Sequence, residues 1–181
     1  INLLNNIVLE KRTLHPSAIL DELDKRLMTA LPRENGEENM NDGMEITICV
    51  FNPKNNDLSY ACAGSRFLVY DNNSFTMHKG DSKHIGDRAT ETFSSFTTHH
   101  TKFNPTATLY LFTDGFQDQF GGVKNKKYSF RRMIELFEAN IRLPLEDQHH
   151  MIETEFDKWK SDDVQTDDVT IIALRHPKIQ S

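Results

Sequence analysis

Cysteine is scarce: the 181-residue chain has two, at positions 49 and 62. That is too few for a disulfide framework, and each lies within an apolar, strand-like run, so both read as small buried thiols of a reducing compartment. Long apolar runs are missing as well. None approaches the ~20 residues of a bilayer span and no cleavable leader is visible, so membrane contact by this domain is not expected. A cytoplasmic location follows, and the cytoplasmic part of a larger sensor protein would look the same. Basic excess is absent too, with 21 Lys and Arg against 27 Asp and Glu and a formal net charge of −6. Without a basic cluster to attract a phosphate backbone, nucleic acid is not an expected partner. There is no nucleophile-elbow pattern, phosphate loop, dinucleotide fingerprint or zinc spacing. Two histidine pairs occur, His99-His100 and His149-His150. Neighbouring side chains on a strand or helix diverge, so neither pair grips one ion, and both read as surface residues. The chemistry narrows to carboxylates.

The carboxylates that stand out flank apolar runs. Leu109-Tyr110-Leu111-Phe112 is too short for a helix, follows Asn104-Pro105, and ends at Thr113-Asp114-Gly115. This predicts a strand that carries an acid to its tip, after which glycine lets the chain turn away. Far downstream, Gln165-Thr166-Asp167-Asp168 opens a second run, Val169 to Leu174. Antiparallel neighbours would bring these acids to one sheet edge, and hard oxygen donors on a rigid edge suit Mg²⁺ or Mn²⁺. Asp-Gly is also a common turn signal, and Asp-Asp before a strand is often solvated loop. Spacing alone leaves both readings open.

The remaining chain fills in the architecture. Ile1, Leu3, Leu4, Ile7 and Val8 fall at helical spacing with no capping residue before them, which reads as a chain starting inside a helix. Pro16 starts a second helix with the apolar stripe Ile19, Leu20, Leu23 and Leu27, and residues 32–41 form an acidic, solvated loop. Strands are predicted over 44–51, 58–63, 66–70 and 75–78, joined by two Asn-containing turns and a Gly64-Ser65 bend, and another over 96–103. The lysines of 124–127 mark a surface loop. Ser129 caps a helix carrying Phe130, Met133, Ile134 and Phe137; Pro144 opens another with Leu145, Ile152, Phe156 and Trp159. The order is α+β and implies one domain, 1–181, with helices covering stacked antiparallel sheets.

Leu111-Phe112-Thr113-Asp114-Gly115, together with Gln165 to Thr170 and the closing strand to Arg175, resembles the metal-dependent (type 2C) protein serine/threonine phosphatases. The similarity is to their bacterial branch named for stage II sporulation protein E. Asp42-Gly43-Met44-Glu45-Ile46, Tyr60-Ala61-Cys62-Ala63-Gly64 and Asp118-Gln119-Phe120-Gly121-Gly122 add to it in the same order. The resemblance implies two stacked antiparallel β-sheets flanked by helix pairs, an α-β-β-α sandwich with two Mn²⁺ or Mg²⁺ ions at one end. A metal-activated water would attack a phosphoserine or phosphothreonine, with no residue catalytic beyond the metal ligands. It further implies Asp114 and Asp167 as direct ligands. Asp168, Asp118 and Gly115 would stand around the ions, Asp168 being equally suited to cap the strand start. Asp42 and Gly43 would serve the hairpin.

The family's first metal motif, Asp-x-x-Gly-His-Gly, has no counterpart in the chain. With the mid-helix start, this reads as a fragment incomplete at its N-terminus, lacking the first strands and the ligand that bridges both ions. Such a fragment is expected to bind metal weakly, to be inactive by itself, and to self-associate through unpaired strands as a homodimer. The resemblance also implies a phosphorylated, anti-anti-sigma-like protein substrate and an upstream sensory domain. The contrasting reading is a regulatory module that binds a partner and keeps only the fold.

Overall fold

The computed structural model of the chain describes residues 2–10, 14–30, 43–87 and 94–176. Its elements are α1 (Asn2–Asn5), a π-helical turn (Asn6–Glu10), α2 (Pro16–Ala30), β1 (Ile46–Asn52), β2 (Asp57–Ala63), β3 (Arg66–Asp71) and β4 (Ser74–Lys79). They continue as β5 (His99–Lys102), β6 (Thr108–Phe112), α3 (Gly115–Asp118), β7 (Phe120–Gly121), β8 (Lys126–Lys127), α4 (Phe130–Asn140), α5 (Leu145–Lys160) and β9 (Ile171–Arg175). This is an α+β protein with two main sheets, ordered β1-β2-β5 and β4-β3-β6-β9, and a small β7-β8 hairpin. Asp42 and the acidic loop 32–41 lie outside the described residues. The chain divides into two compact units, Ile1–Leu109 with Leu174–Ser181, and Tyr110–Ala173.

In the first unit, β1 and β2 pair antiparallel from Ile46↔Ala63 to Asn52↔Asp57. Asparagines make the turn between them: Asn52 and Asn55 accept the amides of Lys54 and Asp57 through their side chains, and Asn56 takes φ 57°. β3 and β4 pair across Asn72 and Asn73, both at positive φ, as a tight hairpin requires. The two sheets touch at Tyr60, whose ring lies 4.9 Å from Phe67 and 5.4 Å from His78. The α2 stripe is buried as its spacing predicts: Ile19, Leu20 and Leu23 share a core with Ile7, Ala61, Ala63, Ile85 and Phe96. Each large aliphatic side chain so buried contributes about 1.5–3 kcal/mol.

Three expectations need correction in this unit. The strand predicted over 96–103 spans only His99–Lys102. The Phe96 amide donates to Asp21 Oδ1 (2.9 Å) and the Thr97 amide to Asp81 Oδ2 (2.8 Å), so carboxylates replace the ladder there. His99 is half-buried rather than a surface residue, because it stacks on Tyr60 at 5.3 Å, whereas His100 on the other face is exposed and bonds Asp57. Cys62 is fully buried but Cys49 is only partly so. Both thiols are free, and burial together with Cys62 pushes the Cys49 pKa up to about 12.

In the second unit, Tyr110 stacks on Phe137 at 4.7 Å and donates its hydroxyl to Gln148 Oε1 (2.6 Å). Gln148 in turn donates to the carbonyls of Ile141 and Leu143, tying α5 to the end of α4. Ser129 caps α4 by accepting the Arg132 amide. The lysine stretch is not simply loop. Lys126 and Lys127 form β8, paired with Gly121 and Phe120, and positive φ at Gly122 and Asn125 closes the turn. Gly121 carries no side chain because a Cβ would run into the Trp159 carbonyl. β9 begins at Ile171, two residues later than predicted, because the Thr170 amide donates to the Thr113 hydroxyl instead of a strand carbonyl.

Candidate metal centre

β6 delivers Thr113 and Asp114 to the end of the strand, and β9 is its neighbour in the sheet. Thr113 joins the two chain segments. Its amide donates to the Thr170 carbonyl (3.0 Å), its hydroxyl donates to the Asp168 carbonyl (2.8 Å), and that hydroxyl accepts the Thr170 amide (2.9 Å). The end of β6 therefore lies beside the start of β9, and Asp114 and Asp167-Asp168 come to one edge of the second unit.

Asp114 begins α3 but spends no side-chain hydrogen bond on capping it, and its carboxylate is exposed. Asp167 and Asp168 are exposed too. Asp167 accepts the Asp168 amide through Oδ1 at 2.7 Å, and its carbonyl accepts from Gln165 Nε2. Gly115 is buried where the two segments are closest: a Cβ there would lie 2.5 Å from the Asp168 carbonyl. Asp118 stands one helical turn past Asp114, its amide bonded to the Asp114 carbonyl, and its carboxylate holds Lys127 Nζ at 2.9 Å. Among the described residues, no three His, Cys, Asp or Glu side chains gather to hold a metal ion. The donors present are all hard carboxylate oxygens. They fit in kind a Mg²⁺ or Mn²⁺ ion that keeps several waters and takes only one or two carboxylates from protein.

Two residues here stood in the sequence only as members of family-like motifs, with no role of their own. Thr113 is the polar clasp just described. Gln119 is fully buried beside the exposed acids. A polar residue directly after a strand was a usable signal for the first; nothing in the apolar spacing marks the second.

The family profile of stage II sporulation protein E (SpoIIE) matches residues 1–177. The chain belongs to the SpoIIE family. No curated protein matches the sequence. Among solved structures, the SiaA-PP2C domain of Pseudomonas aeruginosa is similar, with 24% identity and a TM-score of 0.80. The RsbU and RsbW domains of a Mycobacterium tuberculosis protein give 15% and 0.70, and the SpoIIE phosphatase domain of Bacillus subtilis 8% and 0.56. The match covers 96%, 97% and 90% of this chain, and 65%, 46% and 75% of those chains. This SpoIIE-family chain thus spans slightly less than two thirds of the SiaA domain and has the PP2C-type phosphatase fold. Among the described residues, no helix is long and apolar enough to cross a membrane.

Proposed function

We propose that this SpoIIE-family chain is part of a metal-dependent phosphatase that hydrolyses phosphoserine or phosphothreonine on a regulatory protein. The observation that carries the reading is the Thr113 clasp, which brings Asp114 and Asp167 to one edge from opposite ends of the second unit. Asp114 and Asp167 would hold a Mn²⁺ or Mg²⁺ ion. When bound, such an ion lowers the pKa of water and offsets charge on the phosphoryl oxygens. Hydrolysis forms one bond, from a water oxygen to phosphorus, and breaks one, from phosphorus to the seryl or threonyl oxygen. One water proton ends on that oxygen, and free phosphate leaves. The chain's own contribution is positional. Thr113 fixes both backbones, Gly115 permits their approach, and Lys127 neutralises Asp118 beside the site.

Manganese is supported as the ion by the serine/threonine phosphatase PstP, which has this fold and is known in complex with two manganese ions. A regulatory domain on the same polypeptide is supported by the Bacillus subtilis SpoIIE structure that includes a fragment of one. The test is Mn²⁺-dependent release of phosphate from an aryl phosphate and from a phosphopeptide by the full-length protein. Asp114→Asn and Asp167→Asn are each expected to abolish it; unchanged turnover in both would remove the assignment. A second reading, a partner-binding module that keeps the fold without catalysis, is favoured by one observation: no third ligand joins the two aspartates among the described residues. Tight association with a phosphoprotein and no phosphate release would select it.

A further inference from the structure

Gln119 has no exposed surface, yet its side chain bonds residues 120, 164 and 166, all of them exposed. Buried polar side chains are satisfied almost without exception, so the partners of this amide show what it is for. Its Nε2 donates to the carbonyl of Phe120 (2.9 Å) and to that of Val164 (3.1 Å), and its Oε1 accepts the amide of Thr166 (3.4 Å). Its backbone carbonyl accepts from Trp159 Nε1 (3.1 Å) and from the Tyr128 amide (2.9 Å). The residue is thus fastened to α5 and to the start of α4, and its amide reaches outward to an exposed segment about 45 residues away in sequence.

That segment, 161–170, has no regular secondary structure, and almost all of it is exposed; Val164 keeps 83% of its surface in water. Apolar packing holds little of it: Val169, the one half-buried residue, lies against Gly115. Its first residues stay on the end of α5, where the Ser161 and Asp163 amides donate to the Asp157 and Lys160 carbonyls. Beyond that, side chains from elsewhere hold it at two places among the described residues: Gln119 grips residues 164 and 166, and Thr113 grips residues 168 and 170. Asp167 is the one residue between the two grips. We infer that Gln119 is the positioning residue for Asp167: its buried amide sets the approach of that carboxylate to Asp114, and with it the affinity for a divalent cation. The inference rests on the reading of Asp114 and Asp167 as ligands.

The second unit supplies its own control. Gln148 is also buried, and it too makes three side-chain hydrogen bonds, to Tyr110, Ile141 and Leu143, none of them in the segment 161–170. Mn²⁺ binding by the full chain is measured by water-proton relaxation at a temperature where circular dichroism shows each variant folded. Gln119→Met is expected to weaken Mn²⁺ binding about 10-fold, at the lower end for residues that orient a ligand. Gln148→Met is expected to lower the unfolding temperature similarly and leave Mn²⁺ affinity unchanged. In an Asp167→Asn background, Gln119→Met should have no further effect. If Gln119→Met does not fold, Gln119→Glu keeps the shape and the Thr166 acceptor while losing the donors to Phe120 and Val164, and the same loss is expected. Wild-type affinity in the Gln119 variant, or an equal loss in the Gln148 variant, overturns the inference while the Asp167→Asn effect stands. If Asp167→Asn itself leaves Mn²⁺ binding unchanged, the metal reading fails and the inference with it.

Discussion

The chain carries two groups of potential metal-binding side chains, and the structure treats them in opposite ways. In the first unit three histidines are committed to their neighbours. His99 stacks on Tyr60, His78 stacks on Phe67 at 5.0 Å, and His100 bonds Asp57, whose carboxyl that bond holds below its usual range. In the second unit Asp114 and Asp167 are left exposed while buried or bonded residues, Gly115, Thr113 and Gln119, hold the backbone beneath them. A ligand needs an uncommitted donor on a committed backbone. The aspartate edge comes close to that condition, since Asp114 caps nothing and Asp167 commits one oxygen, Oδ1, to the Asp168 amide; the histidine cluster inverts it by committing the side chains.

The widest separation between the two regions should appear in metal affinity. Asp114→Asn or Asp167→Asn is expected to cost more than the roughly 10–100-fold typical of residues that only orient a ligand. His99→Gln and His100→Gln should leave Mn²⁺ binding within error, as read by the same titration. An effect of the histidine variants comparable to that of the aspartate variants would erase the distinction.

Next in size is Gly115→Ala. The added methyl meets a backbone carbonyl, that of Asp168, not a flexible side chain, so the two segments must part. A loss of about 1–3 kcal/mol, the usual cost of overpacking, is expected in urea unfolding, together with weaker Mn²⁺ binding. Thr113→Val should cost less, about 0.5–1.5 kcal/mol for the hydroxyl's net contribution. Its informative readout is faster hydrogen exchange at the Thr170 amide, which loses its acceptor. Unchanged exchange there would show that the clasp does not hold the start of β9.

Much of the fold was legible because it is written locally. The asparagine turns, the α2 stripe and the run ending at Asp114 each follow from residues within a few positions of one another. The failures are non-local. Nothing near Phe96 or Thr97 announces that their amides bond Asp21 and Asp81 rather than a neighbouring strand. The β7-β8 pairing hid behind its lysines, whose charge suggested only a solvated loop. The two aspartates of the candidate site were legible as strand-end acids. Gln119 was not, because a glutamine becomes a core residue only when partners from distant segments satisfy it.

The smallest expected effect tests the histidine side of the comparison through pH. His78 is half-buried against Phe67 and Tyr60, His99 stacks on that same Tyr60, and burial holds the His78 pKa below the ordinary imidazole value. The folded state therefore favours neutral His78. Below pH ~6.5 the unfolded chain binds this proton more readily than the folded one, so stability is fully present above that pH and falls as pH drops through the depressed folded pKa. His78→Phe keeps a ring against Phe67 and removes the proton. Its urea midpoint should decline less than the wild type's between pH 7.5 and pH 5. Parallel declines would mean that the cluster absorbs the charge without penalty, and that its histidines are less committed than their stacking implies.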